Sequence, residues 1–176
     1  MTTLTAPTPT RTSSPALDFE ALYRAARDDV YAYVATMLRD RAAAEDVTAA
    51  AFERAYRKQR TYKPARGSER AWVFGIARNA ALDELRRRKR AAALVAEPAD
   101  VDATPPEDAA ETALRRAAVR VALAQIDPRH RELIALKFHA GLDNAEIAAV
   151  LGVGVSNAGT QLHRAMTKLR EAVEHA

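Results

Sequence analysis

The sequence contains no cysteine and few aromatic residues. The absence of Cys from all 176 residues excludes a disulfide framework, a thiolate nucleophile and a Cys-based zinc site. Aromatic residues make up only 6% of the chain and Ala is abundant, so we predict an all-α fold with a small aliphatic core. The four histidines lie far apart without the spacing of metal ligands, and we expect neither a metal site nor a cofactor.

Long apolar runs are also missing. No uncharged stretch reaches the length of a membrane-spanning helix, and the opening TTLTAPTPTRTSSP lacks the apolar segment of a signal peptide. We therefore expect a soluble, cytoplasmic protein. No catalytic constellation is present, because the acidic pairs at 45–46 and 83–84 are adjacent and their side chains diverge on a helix. We predict that the protein is not an enzyme.

Charge is distributed unevenly along the chain. The net charge of +4 and the pI near 9.6 mildly favour an anionic partner. From Arg54 to Arg90 there are thirteen Lys or Arg and three acids, whereas Glu97 to Glu111 holds six acids, no base and three prolines. The acidic, Pro-rich stretch indicates a flexible linker between two small helical domains. We predict a disordered tail (1–15), a first domain (16–92), the linker (93–107) and a second domain (108–176).

The basic half of the first domain has two features that are typical of nucleic-acid binding. The stretch Arg78–Arg90 would place a track of cations on a helix, which suits phosphates, although cations are also favoured at a helix C-terminus. The loop from Tyr62 to Gly67, ahead of a helix with Ser68 as N-cap, combines an aromatic residue with two cations, as single-strand binding requires. We expect Trp72 to pack in the core, and Tyr62 fits either role.

The second domain contains the pattern of a helix–turn–helix motif in NAEIAAVLGVGVSNAGT. Ala148 is small enough to let two helices approach closely, and Gly152 suits the positive φ of the turn. Asp127 followed by Pro128 predicts the start of the preceding helix. The pattern favours a recognition helix in the DNA major groove, and an ordinary helical hairpin is the alternative.

Three segments together resemble an extracytoplasmic-function (ECF) sigma factor of the sigma-70 family. They are AEDVTAAAFERAYR, RAWVFGIARNAALDELRRRKR and DPRHRELIALKFHAGLDNAEIAAVLGVGVSNAGTQLHRAMTKLR. The resemblance implies sigma domain 2, a bundle of three to four helices, and sigma domain 4, a helix–turn–helix bundle. It covers nearly everything except the tail and the linker.

For domain 2, the resemblance implies contacts with core RNA polymerase and with the minus-ten promoter element. The residues expected to bind the beta-prime clamp helices of the polymerase are Glu45, Asp46, Phe52, Glu53, Arg54 and Arg57. The residues expected to melt the minus-ten element and capture it as single strand are Tyr62, Lys63, Arg66, Trp72, Arg78, Asn79, Asp83, Arg86 and Arg87.

For domain 4, the resemblance implies binding to the beta flap of the polymerase and to duplex DNA at the minus-thirty-five element. The expected DNA contacts are Arg131, Ser156, Asn157, Thr160, Gln161 and Arg164. An anti-sigma factor is a further expected partner. The protein would thus be a transcription initiation factor.

Several positions depart from the family pattern. Ala49 and Ala50 replace the usual Gln and Glu on the polymerase-binding helix. Gly159 and Gln161 replace the usual Lys and Arg on the recognition helix, which loses two cations, while Asn157 and Gln161 favour adenine edges. Two alternatives therefore stay open: a stand-alone helix–turn–helix regulator that works without polymerase, and a degenerate sigma-like protein that acts through protein contacts alone.

Overall fold

The structure is a computed structural model that describes residues 17–94 and 110–174. Within these ranges it is helical and has no strand, which confirms the all-α prediction. The α-helices are α1 (Phe19–Leu38), α2 (Arg41–Lys58), α3 (Glu69–Leu94), α4 (Ala110–Gln125), α5 (Pro128–Phe138), α6 (Asn144–Leu151) and α7 (Val155–Glu174). The predicted tail and most of the predicted linker lie outside the described residues. No helix in the described part is long and apolar enough to cross a membrane.

Helices α1, α2 and α3 form the first bundle, and each begins at a side-chain cap. The carboxylates of Asp18 and Asp40 accept hydrogen bonds from backbone N–H groups in the first turns of α1 and α2. The hydroxyl of Ser68 accepts a hydrogen bond from the N–H of Ala71 at 3.1 Å, as predicted for the start of α3. Two short 3-10 turns, Gln59–Thr61 and Pro64–Arg66, connect α2 to α3 and form the predicted loop.

Helices α4 to α7 form the second bundle, which contains the helix–turn–helix. The carboxylate of Asp127 caps α5 and Pro128 is its first residue, as predicted. Asp143 and Glu146 form a reciprocal capping box at the start of α6. Gly152 ends α6 with φ +69°, a left-handed conformation that a residue with a Cβ adopts only with strain. Helices α6 and α7 are therefore held at a sharp turn.

The two bundles pack against each other, which the sequence did not indicate. Helix α5 lies on α1, and α6 lies on α3. Buried side chains from both bundles, including Tyr33 and Phe74 of the first and Leu133 and Leu136 of the second, belong to one continuous apolar core. The two predicted domains thus share a core rather than standing apart.

Candidate nucleic-acid interface

Helix α7 docks through small residues and leaves a polar face free. Ala158 and Ala165 are fully buried against the rest of the second bundle. Four of the predicted minus-thirty-five residues are exposed: Ser156, Asn157, Thr160 and Arg164. Gln161 is half-buried, and its amide donates a hydrogen bond to the Asn157 side-chain oxygen at 2.8 Å. The face therefore presents amides and hydroxyls with a single arginine.

Gly159 lies in the second turn of α7, where the helix comes close to α6. A Cβ at this position would lie 3.4 Å from the side-chain nitrogen of Asn144, which is an ordinary van der Waals contact with the end of a flexible side chain. The φ of Gly159 is not positive. The backbone therefore does not require glycine at this position.

Arg131 occupies an interior position that was not anticipated from the sequence. The residue is buried, and its guanidinium donates hydrogen bonds to the carbonyl oxygens of Leu123 and Ile126, each at 2.8 Å. Burial also lowers the pKa of this guanidinium. These bonds satisfy the carbonyls at the C-terminal end of α4. The geometry favours a structural role for Arg131 over contact with a DNA phosphate.

Three of the cations near the C-terminal end of α3, Arg86, Arg87 and Arg88, are paired with acids. Arg86 donates to Asp83 at 3.2 Å, and Arg87 makes two hydrogen bonds of 2.7 Å to Glu84. The hydrogen bonds from Arg87, and one from Arg88, hold the pKa of Glu84 at about 2. Arg86 and Arg87 nevertheless stay exposed, so phosphates can reach them. The track is cationic in sum but partly neutralised along its length.

The loop before α3 places two predicted aromatic residues together. The rings of Tyr62 and Trp72 are tilted, with centroids 5.6 Å apart, and both residues are half-buried. The Tyr62 hydroxyl donates to the carbonyl oxygen of Gly67 at 3.0 Å, which closes the loop on itself. Lys63 and Arg66 are exposed beside this pair. Trp72 thus packs as expected, but on Tyr62 at the surface rather than in the deep core.

Two further residues of the predicted minus-ten set lie on α3, and they have different surroundings. Asn79 is exposed. Arg78 is only 22% exposed at its side chain, and its Nε donates to Glu132 of α5 at 2.6 Å. In this arrangement a carboxylate occupies the position at which Arg78 would meet a phosphate.

The outer face of α2 carries five of the six predicted polymerase contacts. They are exposed and charged: Glu45, Asp46, Glu53, Arg54 and Arg57. Phe52 is buried and packs edge-on against the rings of Phe19 and Tyr23, so its side chain supports the surface and does not form it.

Two aromatic residues beside this face were not predicted to belong to it. Tyr56 is 58% exposed and Tyr23 is 39% exposed, and Tyr23 lines a groove between α1 and α2. The hydroxyl of Thr48 is buried at this groove without a hydrogen-bond partner. The spacing of apolar residues puts Tyr56 on the apolar face of α2, and only its position relative to α1 shows that it is exposed.

These observations define a class of protein. A helix–turn–helix with a free polar face in the second bundle, and a cationic helix with an aromatic loop in the first, are typical of a nucleic-acid-binding protein with two binding elements. Within the described ranges, no group of three or more His, Asp or Glu side chains could hold a metal ion.

Comparisons with known proteins identify the family. The Sigma-70 region 2 model matches residues 22–91, and the Sigma-70 region 4 model matches residues 107–169. The ECF RNA polymerase sigma factor SigL of Mycobacterium tuberculosis is 32% identical over 91% of this chain and 93% of its own. The RNA polymerase sigma factor CarQ of Myxococcus xanthus is 34% identical over 87% of each chain. The chain belongs to the ECF family of RNA polymerase sigma factors, which act in transcription initiation and are not a class of catalytic enzymes.

Two solved structures have the same fold as this chain. The sigma factor RpoE, in complex with the anti-sigma factor NepR from Bartonella quintana, is 22% identical and covers 89% of this chain and 97% of its own, with a TM-score of 0.78. CnrH, in complex with the cytosolic domain of CnrY, is 25% identical over 89% of this chain and 88% of its own, with a TM-score of 0.63.

Proposed function

We propose that this sigma factor directs core RNA polymerase to a specific promoter set by reading two elements. Region 4 reads duplex DNA at the minus-thirty-five element, and region 2 captures the minus-ten element as single strand. The observation that carries the proposal is the orientation of α7. Its small residues, Ala158 and Ala165, are buried while its amides and hydroxyls face outward, as a helix inserted in the major groove requires.

The amide pair on α7 favours adenine at one position of the minus-thirty-five element. The Gln161 amide N–H donates to the side-chain oxygen of Asn157. This bond does not use the amide N–H groups of Asn157 or the side-chain oxygen of Gln161, so both can face a base. Adenine offers an N7 acceptor and an N6 donor in the major groove, which match these two groups. In the family pattern, the usual Lys and Arg at positions 159 and 161 would contact guanine. In this chain the amide pair takes the place of that contact.

Capture of the minus-ten strand uses the loop and the exposed part of α3. Lys63 and Arg66 would follow the phosphates, and Asn79 would contact a base. The rings of Tyr62 and Trp72 already contact each other in a tilted arrangement, with centroids 5.6 Å apart. An unpaired base that enters here would stack on one of the two rings.

Binding to the beta-prime clamp helices uses the outer face of α2. The charged residues on this face are supplemented by the exposed ring of Tyr56, and aromatic residues are enriched where protein interfaces are most strongly bound. Region 4 would bind the beta flap. We also propose an anti-sigma partner, because the sigma factor RpoE, which has the same fold, was solved in complex with the anti-sigma factor NepR.

Run-off transcription from pooled genomic fragments, with core RNA polymerase and with or without this protein, tests the proposal. We expect defined starts that share upstream elements, and loss of adenine preference at one position in Gln161→Ala. Gln125→Ala, an exposed glutamine at the end of α4, is the matched control and should leave the starts unchanged. Core binding without new starts would favour the degenerate sigma-like protein, and no core binding would favour a stand-alone regulator.

A further inference from the structure

The recognition helix contains a glycine that the fold does not require. Gly159 lies inside α7 without a positive φ, and helix propensity would favour alanine in its place. A Cβ at this position would lie 3.4 Å from the side-chain nitrogen of Asn144. In the described part of the chain, no side chain except that of Asn144 and those of the two sequence neighbours comes within 4 Å of the Cβ position. Gly159 therefore leaves open space at this point of α7.

Three exposed polar residues border this space. Ser156 and His163 are three positions before and four positions after Gly159, so they flank it on the surface of α7. Asn144 is the first residue of α6 and flanks the space from the neighbouring helix. We call the gap in front of Gly159, between Asn144, Ser156 and His163, the notch.

The Asn144 amide can donate a hydrogen bond into the notch. Its Nδ2 is the atom nearest to the missing Cβ of Gly159. Within residues 17–94 and 110–174 this amide makes no hydrogen bond, and the residue is exposed. The Thr160 hydroxyl, by contrast, already donates to the carbonyl oxygen of Ser156 at 3.0 Å. An amide donor without a partner in the described ranges thus lies directly beside an open stretch of helix.

The helix–turn–helix fixes the position of Asn144 relative to α7. Asp143 and Glu146 form the capping box at the start of α6, on either side of Asn144. Ala148 is buried, and its carbonyl oxygen accepts a hydrogen bond across the turn from the N–H of Val153 at 3.0 Å. Binding groups that are already held in place lose less freedom when a ligand binds. The notch is therefore preorganised for a ligand on the exposed side of α7.

The notch lies apart from the amide pair of Asn157 and Gln161. At 3.6 residues per turn, Gly159 and Gln161 point in directions roughly 200° apart around the helix. Ser156 and Thr160 lie between them on the exposed side. The notch and the amide pair therefore form opposite flanks of the face that we propose to enter the major groove, and they can contact different base pairs.

Thymine is the base whose edge in the major groove matches the notch. It presents a 5-methyl group and the O4 acceptor, and the other three bases lack the methyl group. The methyl group fits the open space in front of Gly159, while O4 can accept a hydrogen bond from the Asn144 amide. Cytosine would place its N4 donor against this amide donor, and adenine or guanine would leave the space empty.

We propose that Asn144 and Gly159 form a thymine-reading site for the minus-thirty-five element. Gly159 admits the 5-methyl group, and Asn144 donates to O4. The site rests on the proposed function, since it requires α7 to lie in the major groove of a promoter. It adds a residue of α6 to the determinants of specificity, and it explains why a glycine that lowers helix stability occupies this position.

Single-base substitutions in promoter duplexes test the two contacts separately. In a promoter found by the run-off assay, each thymine of the minus-thirty-five region, on either strand, is replaced in turn. Uracil lacks the methyl group, whereas 5-methylcytosine, with guanine opposite, keeps the methyl group and replaces the O4 acceptor with a donor. Competition assays measure the binding of each duplex to the holoenzyme, which is core RNA polymerase with this protein.

The expected effects follow from the loss of one methyl contact or one hydrogen bond. At one thymine, we expect uracil to weaken binding about fourfold, because one buried methyl group is lost. At the same position, 5-methylcytosine should weaken binding by about tenfold or more, because two donors then face each other.

Two variants separate these effects. Gly159→Ala places a Cβ in the notch and should remove the difference between thymine and uracil. Asn144→Ala removes the donor, so it should largely remove the 5-methylcytosine penalty and keep the uracil penalty. Gly75→Ala in α3 and Gln125→Ala at the end of α4 are the matched controls, and both penalties should persist in them. Far-UV circular dichroism checks that each variant keeps its helix content.

The results distinguish failure of this site from failure of the proposed function. If starts appear but uracil is tolerated at every thymine, or if the uracil penalty persists in Gly159→Ala, the notch does not read the methyl group and the proposal is overturned. An unchanged 5-methylcytosine penalty in Asn144→Ala would overturn the role of Asn144. Gln161→Ala should keep the uracil penalty, and its loss there would assign the methyl contact to the amide pair instead.

Absence of starts with core polymerase would mean that the proposed function fails. The same substitutions are then made in duplexes that the full chain alone selects from a randomised pool. The thymine site stands if the uracil penalty appears there and disappears in Gly159→Ala. It is overturned if no duplex is selected or if uracil is tolerated throughout.

Discussion

Gly159→Ala is expected to stabilise the protein, although it alters the recognition helix. Gly159 lies inside α7, where the backbone has no positive φ and the added Cβ meets only the side chain of Asn144 at 3.4 Å. Alanine is favoured over glycine in a helix interior because glycine loses more backbone entropy on folding. The substitution should therefore raise the free energy of unfolding without a steric cost.

The expected gain is about 1 kcal/mol, the difference in helix propensity between the two residues. For a protein of this length, that gain corresponds to a rise of about 2–4 °C in Tm. Gly152→Ala is the contrasting variant, because the φ of +69° at this position would hold the alanine in a left-handed backbone conformation. It should lose about 1–2 kcal/mol.

Thermal and urea unfolding followed by far-UV circular dichroism measure both variants. Gly75→Ala supplies the control, since Gly75 lies in α3, where an added Cβ would meet no neighbouring element within 4 Å, and it should gain a similar amount. A gain at Gly75 together with a loss at Gly159 would refute the reasoning. That result would mean that close approach of α7 to α6, rather than helix propensity, determines the residue at 159.

Three other outcomes follow from the described contacts. The pKa of Glu84 is lowered from 4.5 to about 2. The contribution of this carboxylate to stability is therefore present above about pH 4.5 and is lost as the pH falls toward 2. In urea titrations at stepped pH, Glu84→Gln should lose less stability on acidification than the native chain. Arg131→Ala should cost about 2–4 kcal/mol in urea unfolding because it leaves buried carbonyls unpaired, whereas a loss of DNA affinity at unchanged stability would contradict its structural role. Tyr56→Ala should weaken binding to core polymerase in a pull-down and cost only about 0.5–1.5 kcal/mol of stability, through the lost edge-on contact with Phe19. Phe52→Ala should instead cost about 3–5 kcal/mol of stability. The reverse pattern would contradict the assignment of surface and core.

The local features of the fold could be predicted because they depend on neighbouring residues. The cap at Ser68, the Asp127–Pro128 start of α5 and the turn at Gly152 each involve contacts within a few positions of the chain. Their residue types have strong conformational preferences of their own. The exposed polar face of α7 could be predicted for the same reason, because the helical spacing from the buried Ala158 and Ala165 determines which residues face outward.

The side-chain partners of the predicted site residues could not be derived in this way. Arg78 and Glu132 are separated by 54 positions, and nothing in either segment specifies the other. From the sequence alone, Arg131 is expected to be a surface cation. In the structure, the C-terminal end of α4 places the carbonyls of Leu123 and Ile126 beside its guanidinium. A basic side chain in a helical segment has the same sequence pattern whether it faces phosphate, carboxylate or backbone, so packing decides among them.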